Sequence, residues 1–191
     1  MDNTSIQQFF AGMTYSRSRR ETDQSTPIDS ELEELLFLHW ERLCKILFQI
    51  LGSWDEAEDL VLESFERLYF HPPPSRINLS GWLYRTATNM ALNHLRSQKR
   101  REHYEAQANF QDQLTQSQDH LEIQADNSLE IQRVRAVLST ISPRSAQLLI
   151  LRHSGWSYLE IAKALQLPPG SIGTLLARAE KEFEKKFSKR V

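Results

Sequence analysis

The stretch GWLYRTATNMALNHLRSQKRR, residues 81–101, separates into two helical faces. Apolar residues recur at three- and four-residue steps, as on the buried stripe of an amphipathic helix: Leu83, Ala87, Met90 (or Ala91) and His94 or Leu95. A second face is polar and cationic: Arg85, Asn89, Asn93, Arg96 and Arg100. No acid occurs between Arg85 and Arg101. The stretch therefore predicts a helix with one face in a core.

The cationic face has two interpretations. Charge alone favours an ordinary solvated surface. Trp82 and Tyr84 lie beside the guanidinium groups, and aromatic rings next to cations favour binding of unstacked bases. Trp82 also fits a core position that anchors the start of the helix.

The composition of the chain predicts an all-α fold, and its length allows one large domain or two small helical domains. Its 191 residues are 40% hydrophobic, glycine is scarce, and no short stretches alternate apolar and polar residues. Cys44 is the single cysteine, so an intrachain disulfide is excluded. Cys44 and His39 alone are too few ligands for a zinc site, so we expect a buried thiol. No catalytic constellation, cofactor motif or membrane-spanning run occurs. We expect a cytoplasmic protein that is not an enzyme and needs no cofactor.

Serine–glutamate pairs three residues apart predict three helix starts, since each side chain can cap the other's backbone. They are Ser30/Glu33, Ser53/Glu56 and Ser157/Glu160. The helix after Ser30 has too many apolar residues for one stripe, which predicts that most of it is buried. Pro72 to Pro74 end the next helix.

Charge and composition divide the chain into four parts. Residues 1–29 are polar and predict a mobile extension; residues 30–101 predict a three-helix bundle. Residues 102–127 hold six acids and no Lys or Arg, which predicts a flexible acidic linker. Residues 128–191 carry eleven Lys/Arg against five acids, so the net charge of −2 does not exclude nucleic acid as a partner.

The last part predicts a helix-turn-helix. Ser142 followed by Pro143 marks a helix start, and Gly155 marks its end. The segment SYLEIAKALQ, a turn at residues 167–170 and SIGTLLARAEKEFEKKF then follow. A generic helical hairpin fits these features equally well.

Two segments in this order resemble the extracytoplasmic-function group of bacterial sigma factors, the promoter-specificity subunits of RNA polymerase. AEDLVLESFERLY (57–69) with GWLYRTATNMALNHLR (81–96) is similar to the second conserved region of that family. LSTISPRSAQLLILRHSGWSYLEIAKALQLPPGSIGTLLARA (138–179) is similar to its fourth region. The resemblance covers residues 30–187. It implies core RNA polymerase and promoter DNA as partners and an anti-sigma factor as a candidate regulator.

The resemblance assigns two surfaces to the bundle. An acidic helix would dock on the clamp helices of the largest polymerase subunit, and the candidate residues are Glu56, Glu58, Asp59 and Glu63. The next helix would face the melted minus-10 strand, with Trp82, Arg85, Asn89, Asn93, Arg96, Lys99, Arg100 and Arg101 as candidates. The alternative for the acids is that they only keep the bundle soluble.

The fourth region would bind the minus-35 duplex and the flap of the second-largest subunit. Candidate minus-35 contacts are Lys163, Ser171, Thr174, Arg178 and Lys181. The family usually has Lys and Arg where this chain has Gly173 and Leu175, a glycine is common where it has Gln166, and Gln is usual in place of Leu62. The departures at Gly173, Leu175 and Gln166 put minus-35 recognition in doubt.

Three hypotheses follow from the sequence. The first is an initiation factor that directs polymerase to a regulon of promoters. The second is a sigma-like regulatory protein that docks on polymerase or on a regulator, with weakened minus-35 recognition. The third is a free-standing helix-turn-helix repressor, which would bind duplex DNA without polymerase.

Overall fold

A computed structural model describes residues 27–112 and 125–190 of the chain. Their regular elements are all helical, which confirms the predicted class: α1 (Pro27–Leu51), α2 (Trp54–Phe70), α3 (Leu79–Asp112), α4 (Ala125–Leu138), α5 (Pro143–His153), α6 (Tyr158–Leu165) and α7 (Ile172–Phe187). Short 3-10 turns, Pro169–Ser171 and Ser188–Arg190, flank α7. Within the described ranges, no helix combines the length and the apolar character that a bilayer crossing requires.

The chain divides into two units, Met1–Glu34 and Leu35–Val191, with the boundary inside α1. Every predicted functional surface lies in the second unit. The predicted mobile extension covers residues 1–29. Residues 1–26 of it lie outside the described part of the chain.

Serine caps start three of the helices. The hydroxyl oxygens of Ser53 and Ser142 accept from backbone N–H groups three residues on, at 3.3 Å and 3.1 Å. Ser157 and Glu160 form a complete capping box at the start of α6. The predicted start at Ser30 is wrong, because α1 already begins at Pro27.

The first core forms where α2 packs on α3. Val61 and Phe65 of α2 and Leu83 and Ala87 of α3 are fully buried, as the helical spacing predicts. The prediction that most of α1 is buried is wrong on one side, since Phe37 and Leu38 are 89% and 67% exposed. Gly52 ends α1 with a φ of +86°, a conformation that L side chains rarely adopt.

The helix α3 is longer than predicted. It continues to Asp112, so the first residues of the predicted linker at 102–127 have helical backbone. The fourth helix begins at Ala125, slightly before the predicted boundary at 128. Residues 113–124 lie outside the described part of the chain.

The C-terminal helices form a second core in which α5, α6 and α7 pack on one another. Ile161, Ala162 and Leu165 of α6 point inward as predicted. Gln166 ends α6 in the left-handed region with a φ of +55°. Helices α5 and α6 also pack against α3, so the two cores meet along the helix that carries the cationic face.

Candidate nucleic-acid interface

A surface cavity of about 560 Å³ opens along α3 and is called the α3 cavity below. Its lining comprises Arg67, His71, Trp82, Thr86, Asn89, Met90 and Asn93. Three of these residues, Trp82, Asn89 and Asn93, are predicted minus-10 contacts. Cavities of roughly 300–1,000 Å³ are typical of small-molecule sites, so the α3 cavity has room for a single planar group.

The two aromatic residues at the start of α3 differ in accessibility. Trp82 is half-buried and forms one wall of the α3 cavity. Tyr84 is only 2% exposed, and burial raises its pKa to about 12. Its hydroxyl lies 3.2 Å from Nδ1 of His39. The interpretation of Tyr84 as a platform for bases is therefore wrong, because its ring belongs to the core.

The predicted DNA-contacting cations fall into two groups. Arg100 and Arg101 are exposed. Arg96 and Lys99 instead reach the end of α4 and the turn after it: Arg96 Nε donates to Ser139 O at 3.0 Å and Arg96 Nη2 to Ile141 O at 3.4 Å. Lys99 Nζ donates to Ala136 O at 3.4 Å. These carbonyls are at a helix C-terminus, where cations are favoured.

Arg85, Asn89 and Asn93 lie along the same side of α3. Arg85 is half-buried, and desolvation lowers its pKa. Asn89 and Asn93 are exposed, and the Asn93 side-chain oxygen accepts from Arg96 Nη1 at 3.1 Å. Both residues line the α3 cavity.

Gln147 of α5 makes a contact with α3 that was not predicted from the sequence. Its side-chain amide lies 3.1 Å from each of three acceptors on α3: Arg85 O, Thr88 Oγ1 and Asn89 Oδ1. The residue is 7% exposed. The sequence does hold a signal for this contact, since Gln147 is a polar residue inside the apolar run AQLLIL. A polar side chain that is buried needs a hydrogen-bond partner.

The predicted polymerase-docking acids do not share one face of α2. Asp59 is exposed, and Glu56 and Glu63 are partly exposed. Glu63 pairs with Arg67 at 2.7 Å, and Glu56 lies 3.5 Å from His94 Nε2. Glu58 is only 9% exposed and lies on the inner side. Its spacing from Ala57 and Val61 places it beside the buried stripe, away from the exposed acids.

The single cysteine behaves as predicted. Cys44 is fully buried, and desolvation followed by the nearby Glu58 carboxylate raises its pKa to about 12. Within residues 27–112 and 125–190, no three His, Cys, Asp or Glu side chains are grouped to hold a metal ion. Cys44 therefore packs as a small apolar residue.

The helix-turn-helix presents an exposed row on α7. Thr174, Arg178 and Lys181 are exposed and spaced to share one face. Ser171 donates its hydroxyl to Pro168 O at 2.7 Å and does not cap α7. Lys163 of α6 is exposed. Gly173 and Leu175 are partly buried and contribute no charge to this surface.

A cationic helix beside a cavity, together with a helix-turn-helix, is typical of helical DNA-binding proteins. The Sigma-70 region 2 family model matches residues 38–101, and the Sigma-70 region 4 model matches residues 131–183. The chain belongs to the sigma-70 family of transcription initiation factors, in its extracytoplasmic-function group. Members of this group bind core RNA polymerase and promoter DNA and are not enzymes.

Two characterised relatives are similar over most of the chain. The extracytoplasmic-function RNA polymerase sigma factor SigW of Bacillus subtilis is 25% identical over 166 residues, which cover 81% of this chain and 87% of the relative. The corresponding factor SigE of Mycolicibacterium smegmatis is 26% identical over 164 residues, which cover 82% of this chain and 62% of the relative.

A solved structure is also similar. It is the sigma factor RpoE in complex with the anti-sigma factor NepR from Bartonella quintana. The match covers 83% of this chain and 97% of that chain, with 22% identity and a TM-score of 0.45.

Proposed function

We propose that this sigma factor directs core RNA polymerase, in the cytoplasm, to a particular set of promoters, and that it selects them mainly at the minus-10 element. The observation that supports this most is the α3 cavity, which gathers Trp82, Asn89 and Asn93 within the sigma-70 region 2 match. Promoter choice at the minus-10 element requires a surface that recognises single bases.

The chemistry of the α3 cavity fits a base turned out of the melted strand. A half-buried indole offers a face for stacking, worth about 1–3 kcal/mol per base. The Asn89 and Asn93 amides offer both donors and acceptors, which can distinguish one base edge from another. Arg100 and Arg101 lie further along α3, are exposed, and would bind phosphates of the same strand. Arg96 and Lys99 would join them once their present contacts are released, and Arg85 is half-buried on the same helix.

The docking surface that we propose for polymerase is the exposed part of α2. Asp59 and Glu63 lie one helical turn apart, and Glu56 precedes Asp59 by one turn. Complementary charge on such a surface mainly steers association and fixes register. Glu58 is omitted from this surface because it is buried.

Transcription from a defined template tests the proposal. Purified chain and core polymerase should give run-off transcripts from the factor's own promoters, and Asn93→Ala should reduce open-complex formation while co-purification with the core enzyme is unchanged. Asn93 is a sharper target than Arg96, which also bonds to Ser139 and Ile141. No transcript on any genomic promoter would exclude the initiation function.

A second experiment tests the docking surface. Asp59→Arg should weaken core binding, and Glu184→Arg, at an exposed position of α7, is the matched charge-reversal control.

A second candidate function is supported by α7. Gly173 and Leu175 stand where the family usually has cations, which favours a sigma-like regulator that docks on polymerase with little minus-35 recognition. Randomising the minus-35 sequence separates the two candidates. An initiation factor that depends on α7 should lose most transcription on the randomised template. An initiation factor that depends on the α3 cavity should keep its transcription there. A docking regulator should give no transcript on the original or the randomised template.

A further inference from the structure

A second cavity, about 530 Å³ in volume, is lined by residues of α3, of α4 and of the end of α1, and is called the α3–α4 cavity below. Its lining comprises Leu51, Leu95, Gln98, Lys99, Gln132, Arg135, Ala136 and Ser139. None of these residues lines the α3 cavity. The volume lies in the range of roughly 300–1,000 Å³ that is typical of small-molecule sites, so the α3–α4 cavity has room for a ligand larger than an inorganic ion.

The charged groups that line the α3–α4 cavity have one sign. Lys99 comes from α3 and Arg135 from α4, and the described residues of the lining include no carboxylate. Lys99 Nζ donates to Ala136 O at 3.4 Å, so its ammonium lies beside the residue that follows Arg135. Both cations are half-buried, where two like charges repel more strongly than in bulk water. An anion between them would offset this repulsion, which favours a negatively charged ligand.

Arg135 is held in position by the end of α1. Its Nε donates to Gln49 O at 3.4 Å. Its guanidinium lies against Gly52, where a Cβ would collide with it. Desolvation lowers the pKa of Arg135, because burial has removed part of its water shell. A cation that is already ordered and partly desolvated loses little further freedom when an anion binds.

The rest of the lining divides into neutral donors and apolar surface. Gln98 and Gln132 are exposed, and their amides can donate to anionic oxygens without adding charge. Leu51 and Leu95 are apolar and can contact the carbon atoms of a ligand. A phosphate monoester carries a charge of about −1.5 to −2 and three acceptor oxygens, whereas a carboxylate has a single charge and two oxygens. An organic phosphate therefore matches both the two cations and the apolar wall.

We propose that the α3–α4 cavity binds a small organic phosphate of about the size of a nucleoside monophosphate, with its phosphate between Lys99 and Arg135 and its organic part against Leu51 and Leu95. The Arg135 guanidinium would make charge-assisted hydrogen bonds to two phosphate oxygens, and the Lys99 ammonium would add a point charge. The site does not depend on the function proposed for the α3 cavity. Lys99 is also a predicted minus-10 contact, so the test separates a free metabolite from a DNA phosphate.

Isothermal titration calorimetry of the full chain at constant ionic strength measures the binding. The probes are adenosine monophosphate, inorganic pyrophosphate and a short single-stranded oligonucleotide. Adenosine monophosphate and pyrophosphate should each bind at one site, because both supply a phosphate with at least one full negative charge. Binding of the oligonucleotide alone, with no heat from either small probe at millimolar concentration, would assign the two cations to DNA and overturn the proposal. No heat from any of the three probes would also overturn it.

Substitutions on α4 locate the bound phosphate. Arg135→Gln should weaken binding of adenosine monophosphate about tenfold or more, the effect of losing a hydrogen bond to a charged group. Arg135→Lys keeps the charge without the planar fork and should bind with intermediate affinity. Arg133→Gln, at an exposed position outside the lining, is the matched control and should bind like wild type.

A further variant and a folding control complete the test. Gln132→Leu removes a neutral donor at an exposed position and should weaken binding about fivefold. Circular dichroism should show the same helix content for all variants. If Arg135→Gln does not fold, Gln132→Leu and Arg135→Lys decide the result. Equal affinity in these two variants, in Arg133→Gln and in wild type would overturn the site, because the anion would then be held by general surface charge.

Discussion

Tyr84 and Trp156 meet edge to face, with ring planes at 79° and centroids 4.5 Å apart. Tyr84 belongs to α3, whereas Trp156 lies in the turn before α6, so this one pair joins the region 2 and region 4 matches. Both residues are at most 5% exposed. Edge-to-face pairs add stability beyond the area that they bury. The rings therefore form a structural junction and are not accessible to nucleic acid.

Replacing Trp156 by alanine should lower the free energy of unfolding by about 3–5 kcal/mol, because a buried tryptophan leaves a large cavity. The control is Trp54→Ala, which removes a ring that is 42% exposed and pairs with Phe48 at 5.3 Å. That change should cost only about 1 kcal/mol. Urea unfolding followed by circular dichroism measures both. Equal losses in the two variants would show that Trp156 does not hold a core junction.

The local features of the fold were predictable because they depend on nearby residues. The Ser157/Glu160 capping box, the Ser142–Pro143 start and the inward side of α6 involve residues within a few positions of one another. Three residues of the α3 cavity, Trp82, Asn89 and Asn93, were also suggested by the sequence of one helix. The contacts of Gln147 were not predictable, because its partners lie 58 to 62 residues away. The contacts of Arg96 with the end of α4 were not predictable either. Its position on the cationic face fits a DNA contact and a helix-end contact equally well.

Gln166 should be a site where glycine stabilises the protein. Its φ of +55° lies in the left-handed region, which costs an L residue about 1–2 kcal/mol, whereas glycine adopts it freely. Part of this gain is offset by the greater flexibility of glycine in the unfolded chain, so Gln166→Gly should stabilise by about 0.5–1 kcal/mol. Gln132→Gly, inside α4, should instead destabilise by about 1 kcal/mol. Thermal melts of the two variants should shift in opposite directions.

Glu182 should make the region 4 helices sensitive to acid. The Ser145 hydroxyl and the Ser142 backbone N–H donate to its carboxylate at 2.6 Å and 3.0 Å. These hydrogen bonds, with Ser145 first, lower its pKa from the ordinary value of 4.5. The folded-state pKa is therefore below the unfolded one, and the stabilisation is present above the unfolded pKa and is lost as pH falls through the folded one.

The test compares Glu182→Gln with Glu184→Gln, an exposed position of the same helix. At pH 7, Glu182→Gln should be less stable than wild type by about 1 kcal/mol, the contribution of a hydrogen bond. That difference should shrink when urea unfolding is repeated below pH 4.5. Glu184→Gln should match wild type at pH 7. A deficit in Glu182→Gln that stays constant with pH would mean that carboxylate ionisation is not the cause.

Gly173 should accept a lysine that strengthens DNA binding by α7. A Cβ at this position would lie 3.6 Å from Tyr158 Cε2, an ordinary van der Waals contact, and glycine inside a helix costs about 1 kcal/mol relative to alanine. Gly173→Ala should therefore stabilise the protein without changing its DNA affinity. Gly173→Lys should add a cation beside Thr174 and Arg178, and one new phosphate contact steepens the salt dependence of duplex binding by roughly 0.9 in the log–log slope. Polymerase holoenzymes with the three proteins, titrated against a minus-35 duplex over a range of salt, measure that slope. If the alanine and lysine variants have the same slope, this face of α7 does not approach the DNA backbone.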